Sequence, residues 1–152
     1  MRLRVDQSWF TRVVFSDVAL AFVLSYLVGF ERELRGSAAG DRTYALVGTG
    51  AAAITTVAVS SSPQAIAGIV TGIGFIGAGL VVRGGQGMLR GMTSAATIFA
   101  VAAIGIVAGY GREWLAIGVT ALVLVDLELR HLPVLRYLDA RRYARDDDDM
   151  MK

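Results

Sequence analysis

The ionisable residues of this chain are few and grouped, so the chemistry open to them is narrow. Glu31, Arg32, Glu33 and Arg35 close one apolar run, Arg42 opens the next, and Arg83 and Arg90 flank a turn rich in glycine. Charges at the edge of a bilayer persist where they face the interior of a helix bundle and find partners. Glu31 and Arg35 stand four apart with the acid first, an order worth about 0.2–0.5 kcal/mol on an exposed helix. Two uses follow: an interfacial anchor at a helix end, or one buried polar site in which Glu31 meets Arg42 or Arg90. Hydroxyls at Thr71, Thr93, Ser94 and Thr97 lie inside apolar runs. Such groups bond to their own helix or to a neighbour. Thr93 is the expected contact residue among them and can also cap its helix. Asp17 and Asp126 are the carboxylates nearest the runs, and reaching out to water is their expected fate.

Other chemistries are excluded by what is missing. With no cysteine and the single His131, no disulfide, zinc site or nucleophilic triad assembles from usual parts. Glu31 and Glu33 point in different directions on a helix, and the apolar runs hold no carboxylate cluster. A dedicated Mg²⁺ cage, which needs several oxygens, is not expected, nor is any cofactor. Gly84-Gly85-Gln86-Gly87 reads as a turn rather than a phosphate cradle. The sequence pI of about 9.3 does not signal nucleic acid, because the arginines lie between apolar runs.

The elements that must position these residues are helices. Hydrophobic residues make up 55% of 152, charged residues 18%, and there are 18 glycines. Thr43 to Val82 contains no Asp, Glu, Lys, Arg or His, and neither does Gly91 to Gly111. A soluble fold of this size cannot hide so much apolar surface. Five runs are long enough to cross a bilayer core of about 30 Å: Val13–Phe30, Thr43–Ser60, Pro63–Val82, Met92–Gly109 and Trp114–Leu129. They are apolar throughout rather than alternating, which argues against barrel strands. The fold class is therefore all-α, a polytopic membrane protein built as a bundle of five transmembrane helices. Residues 1–131 form the membrane domain, and 132–152 a basic, then acidic, cytoplasmic tail suited to an anionic leaflet. Ser61-Ser62-Pro63 reads as a helix start, and Asp41 or Thr43 as a cap for the second run.

Of the 15 Lys and Arg, eleven fall on one side of such a bundle. Arg2, Arg4, Arg12 and Arg112 fall on the other. The positive-inside rule then puts the N-terminus outside and the C-terminus in the cytoplasm. Lipid tails solvate leucine as well as a neighbouring helix does, so spans associate through small residues. Gly68, Gly72, Gly74, Gly77 and Gly79 in the third run, with Gly48 in the second and Gly105 and Gly109 in the fourth, are the expected packing positions. Their number makes the third helix the expected centre of the bundle.

Three stretches carry a resemblance. Gly29-Phe30-Glu31-Arg32-Glu33 is followed by Ala39-Gly40-Asp41-Arg42-Thr43, which runs into Leu46-Val47-Gly48-Thr49-Gly50-Ala51-Ala52. The third is Gly72-Ile73-Gly74-Phe75-Ile76-Gly77-Ala78-Gly79, continuing through Arg83 to Arg90-Gly91-Met92-Thr93-Ser94-Ala95-Ala96. In order and spacing they resemble the MgtC/SapB family of bacterial inner-membrane proteins over about Leu20 to Tyr110. The resemblance implies a five-span domain tied to low magnesium, acid stress and survival in host cells. It also implies regulation of other membrane proteins, ATP synthase or ion transporters among them. At the matching positions it implies a polar site of Glu31, Arg32, Arg42, Thr43, Arg83, Arg90 and Thr93. Longer members carry an ACT-like cytoplasmic domain, which this chain is expected to lack. Two departures stand out: Asp41 replaces an apolar residue, and Ser61 and Gln64 stand where the family has Asp and Arg.

The expected partners are membrane lipid and other membrane proteins, or a second copy of the chain. A non-enzymatic regulator is the leading function. A small oligomeric carrier or channel for Mg²⁺ or H⁺ is the alternative, and it would need its path between subunits.

Overall fold

The computed structural model describes residues 7–59, 61–83 and 89–129, with backbone alone for 7–13, 82–83 and 89. The glycine turn at 84–87, the tail beyond 129 with His131, and the side chains of Arg12 and Arg83 lie outside the described residues. Five helices follow one another: α1 Gln7–Leu34, α2 Asp41–Ala58, α3 Gln64–Leu80, α4 Met92–Gly109 and α5 Glu113–Leu129. A two-residue antiparallel ladder, β1 Val82–Arg83 and β2 Leu89–Arg90, joins α3 to α4, pairing Val82 with Arg90 and Arg83 with Leu89. The helical reading of all five apolar runs holds to within a few residues. The first run differs most, because the helix continues through the charged residues to Leu34 before Gly36 takes a left-handed conformation (φ 68°) and ends it.

Among the described residues, two helices are long and apolar enough to cross a membrane: Val14–Leu34, with mean hydropathy 1.7, and Met92–Gly109, with 1.9. α3 is apolar but has 17 residues. α2 starts with Asp41 and Arg42 and carries four threonines, and α5 has 17 residues with Glu113, Asp126 and Glu128.

The interior is made of small residues. Ala21, Ala52, Ala108 and Ala116 are fully buried, with Val28, Tyr44, Ile98, Val101 and Ile104 as the large exceptions. Large apolar side chains point outward instead: Phe75 is 84% exposed, Val57 75%, Phe15 73% and Leu46 71%. That inversion of size suits a bundle solvated by lipid, where close helix approach rather than leucine burial drives association.

α2 and α4 form the centre. α1 packs on both, α5 lies against α4 and α1, and α3 rests mainly on α4. The expected central position of α3 is thus overturned. A methyl group added at Gly68, Gly72, Gly74 or Gly79 would meet nothing within 4 Å, and only Ile73 and Gly77 of α3 are buried. Four-residue spacing marks a face on which another helix can pack, but it does not say that one does. The other packing glycines stand in true contacts. A Cβ at Gly48 would overlap the Ser25 side chain, one at Gly105 the Gly48 carbonyl, and one at Gly109 would lie 2.7 Å from the Ala52 carbonyl oxygen. Gly29 was not singled out from sequence, yet a Cβ there would sit 2.8 Å from Asp41 Cα. Gly91 starts α4 at φ 88° with its Cα side facing the Leu80 carbonyl, so a side chain is excluded both by conformation and by space.

Candidate functional site

The polar cluster is assembled where α1 ends, α2 and α4 begin and α5 ends. Glu31 and Arg32 occupy the last turn of α1, on the helix face that also buries Val28. Their side chains are 11% and 13% exposed. Arg32 Nη1 lies 3.7 Å from Glu31 Oε2, and Arg35 Nε lies 3.4 Å from Glu31 Oε1. Neither contact is a hydrogen bond, and both Glu31 oxygens and Arg32 Nε are buried without one among the described residues. Arg35 then reaches α5, donating to both carboxylate oxygens of Glu128 at 2.7 and 2.9 Å. Glu31, Arg35 and Glu128 therefore tie α1 to α5 at this end.

A second set of contacts ties α1 to α2. Helix α2 has Gly40 at its cap position and no cap from its own side chains. Glu33 of α1 takes that role, its Oε2 accepting from the Asp41 amide at 2.9 Å. Asp41 Oδ1 accepts from the Arg42 amide at 2.6 Å, and the Tyr26 hydroxyl bonds to the same carboxylate. Desolvation pushes the Asp41 carboxyl up, but these hydrogen bonds and the Arg42 charge outweigh it and hold it below the ordinary aspartate value of 3.8. Two carboxylates at a helix N-terminus also suit its dipole. Finally, Ser37 and Ser94 share a hydrogen bond of 2.9 Å, and the buried Tyr44 hydroxyl donates to the Ser94 carbonyl at 3.4 Å.

The expected meeting of Glu31 with Arg42 and Arg90 does not occur among the described residues. The partners of Glu31 are Arg32 of its own helix and Arg35 in the turn that follows it. Arg42, Thr43, Arg90 and Thr93 have exposed side chains, and Arg83 is placed only by its backbone in β1. Helical phase explains the difference. Tyr44 is the residue of this turn that faces inward, and Arg42 stands about 200° round from it. Likewise Ser94, one residue beyond Thr93, takes the inward position, and α4 has no side-chain cap. Thr93 contributes its carbonyl, which accepts from Thr97 Oγ1 at 2.7 Å. Asp17 also departs from expectation, being 5% exposed, whereas Asp126 faces outward. Sequence reasoning missed Tyr26, Ser37, Tyr44 and Glu128. The predicted topology already set Glu128 level with Arg35, which was the available signal for that pair.

The buried hydroxyls are mostly spent locally. Thr49, Thr55, Thr97 and Thr120 each donate to the carbonyl four residues earlier, at 2.7 to 2.8 Å. Ser25 is the exception, fully buried with an unpartnered Oγ against Gly48. Among the described residues no group of three or more His, Asp and Glu is placed to hold a metal ion.

Large apolar residues outside, small residues inside and one charge cluster at a helix end are the make-up of a helical membrane protein. The chain belongs to the MgtC family, whose model matches residues 18–133. It is 42% identical over 112 residues to Protein MgtC of Salmonella typhimurium (strain LT2), covering 71% of this chain and 48% of that protein. Protein MgtC of Brucella abortus (strain 2308) is 40% identical over 134 residues, 84% of this chain and 56% of the relative. An uncharacterized protein of Haemophilus influenzae is 33% identical over 147 residues, 88% of this chain and 61% of its own length. The chain thus spans about half to three fifths of these relatives. No solved structure matches.

Proposed function

We propose that this chain is a non-enzymatic, five-span protein of the bacterial inner membrane that regulates other membrane proteins in magnesium and acid homeostasis. Its N-terminus lies outside, residues 1–131 form the membrane domain, and 132–152 is a cytoplasmic tail. In this topology the Glu31 cluster faces the cytoplasm. Helices of 17 and 18 residues, such as α2, α3 and α5, reach about 26 Å and sit at the short end of what spans a bilayer.

The observation that carries a regulatory rather than a transporting role is the closed seam between α2 and α4. Gly105 and Gly109 bring the two backbones into contact along the middle of the bundle, which leaves no bore there. Hydroxyls that could line a path donate to their own helices instead. A regulator needs only outer faces and a stable core, and both are present. The partner is another membrane protein, with ATP synthase or an ion transporter as the class the family suggests. The unbonded Glu31 oxygens favour one alternative, an oligomer that moves Mg²⁺ or H⁺ between subunits.

Reconstitution in liposomes separates the two. A regulator gives no Mg²⁺ or H⁺ flux above empty vesicles while still restoring growth of a deletion strain in low magnesium. Flux that Glu31→Gln abolishes would replace regulation by transport. A reporter fused at Lys152 tests the topology, with activity expected only from a cytoplasmic reporter.

A further inference from the structure

At the opposite end of the bundle from the Glu31 cluster, the exposed α4–α5 turn borders an open hollow of about 460 Å³ lined by Gly111, Arg112, Glu113, Trp114 and Leu115. That volume falls in the range of small-ligand sites. Its charges are of both signs and uncommitted: neither Arg112 nor Glu113 makes an ion pair among the described residues. Beneath the turn lies a second carboxylate. Asp17 is 5% exposed, its Oδ2 lies 3.9 Å from where a Cβ on Gly111 would be, and its charge and that of Glu113 act on one another. No hydrogen bond or ion pair reaches Asp17 among the described residues. Two neighbouring carboxylates call for a cation, and the guanidinium beside them for an anion.

The hollow opens onto an apolar track. Trp114 is 85% exposed and Tyr110 48%, as in an aromatic belt at the membrane surface. Leu115, Leu122 and Leu129 recur at seven-residue spacing along α5 and are 56%, 71% and 40% exposed. Gly118 lies between the first two with nothing within 4 Å of a Cβ, which leaves a shallow groove. A ligand with a cation and an anion a few atoms apart, and a hydrocarbon chain below them, matches charge and shape together.

We infer that the α4–α5 turn binds one ethanolamine phospholipid, its phosphate on Arg112, its ammonium at Glu113 in the field of the Asp17 carboxylate beneath, and an acyl chain along Leu115 and Leu122. The inference rests on the membrane-spanning reading above. A primary ammonium donates hydrogen bonds to carboxylates, whereas the trimethylated choline group has no N–H and glycerol carries no charge. Selectivity among these headgroups is therefore the signature.

The test is native mass spectrometry of the full chain released from micelles holding equal amounts of phosphatidylethanolamine, phosphatidylcholine and phosphatidylglycerol. One ethanolamine lipid should stay bound, preferred about tenfold over either competitor, the scale of one charged hydrogen bond. Arg112→Gln/Glu113→Gln should lose that preference while keeping the parent's helix content. Asp17→Asn should weaken it without removing it. Equal retention of the three lipids, or a preference that survives the double variant, overturns the site. Displacement by free phosphoethanolamine overturns the lipid as its ligand. Release of the chain from membranes by an alkaline wash would instead refute the membrane reading, and so the two failures are distinguishable.

Discussion

Helices α3 and α4 are both apolar, rich in Gly and Ala, and alike in length, yet they do opposite things with their small residues. In α4, Gly105 and Gly109 carry the backbone of α2, with a Cβ position at Gly109 only 2.7 Å from the Ala52 carbonyl oxygen. In α3, four glycines face open space and the helix is held by Ile73 and Gly77, the latter against Ala95. A small residue permits close approach, and only the partner helix turns that permission into structure. α4 has partners on several sides, while α3 has α4 and the edge of α2. The centre of the bundle is therefore set by α2 and α4, with α1 packed on both.

The largest effect expected from breaking this contrast is at Gly48. Leucine there would drive into Ser25 and the fully buried Val101, neither of which can move away cheaply. The cost should exceed about 3 kcal/mol, so the variant should fail to accumulate as folded protein. Gly72→Leu, by contrast, should give normal yield and a melting temperature close to that of the parent in detergent. Next comes the charge cluster. Glu31→Gln leaves the largely buried Arg32 without its counter-charge and should cost about 1–3 kcal/mol, between an exposed and a fully buried pair, read as lost thermal stability. In the Arg35–Glu128 contact a single nitrogen, Nη2, reaches both carboxylate oxygens, and the pair is exposed, at 37% and 52%. A double-mutant cycle should return less than about 1 kcal/mol, shrinking further with salt.

The α1–α2 joint offers the mildest handle. Because the folded-state pKa of Asp41 is depressed, its contribution is present in full above the ordinary value of 3.8 and is lost as pH falls through the lower folded value. Acid titration followed by helix content should therefore show a transition below pH 3.8 that Asp41→Asn removes.

Much of this architecture is legible from residue types. Long apolar runs broken by charge, glycine or Ser-Ser-Pro mark all five helices, and Gly48, Gly105 and Gly109 were recognisable as contacts. What the sequence left open was azimuth. Thr93 and Ser94 are adjacent hydroxyls, and one residue of rotation, about 100°, decides which one meets Ser37. Arg42 and Tyr44 differ in the same way. The glycine stripe of α3 has the same composition whether or not another helix covers it. The Glu31–Arg35 pair was legible from its four-residue spacing, but the further partner of Arg35 depended on α5, whose acidic end gave only a weak signal at Glu128. Asp17 was expected to reach water, and its burial beneath the α4–α5 turn comes from how that turn folds over the start of α1.

The most direct test of the one-edged docking of α3 exploits a chain that has no cysteine of its own. A Cβ at Gly77 would lie 3.6 Å from Ala95 Cβ, within the usual separation of a disulfide's two Cβ atoms. Gly77→Cys/Ala95→Cys, oxidised in native membranes, should cross-link almost completely within one chain, and Gly72→Cys/Ala95→Cys should not. Efficient intrachain cross-linking through position 72, with none through position 77, would contradict it and put the glycine face of α3 inside the bundle.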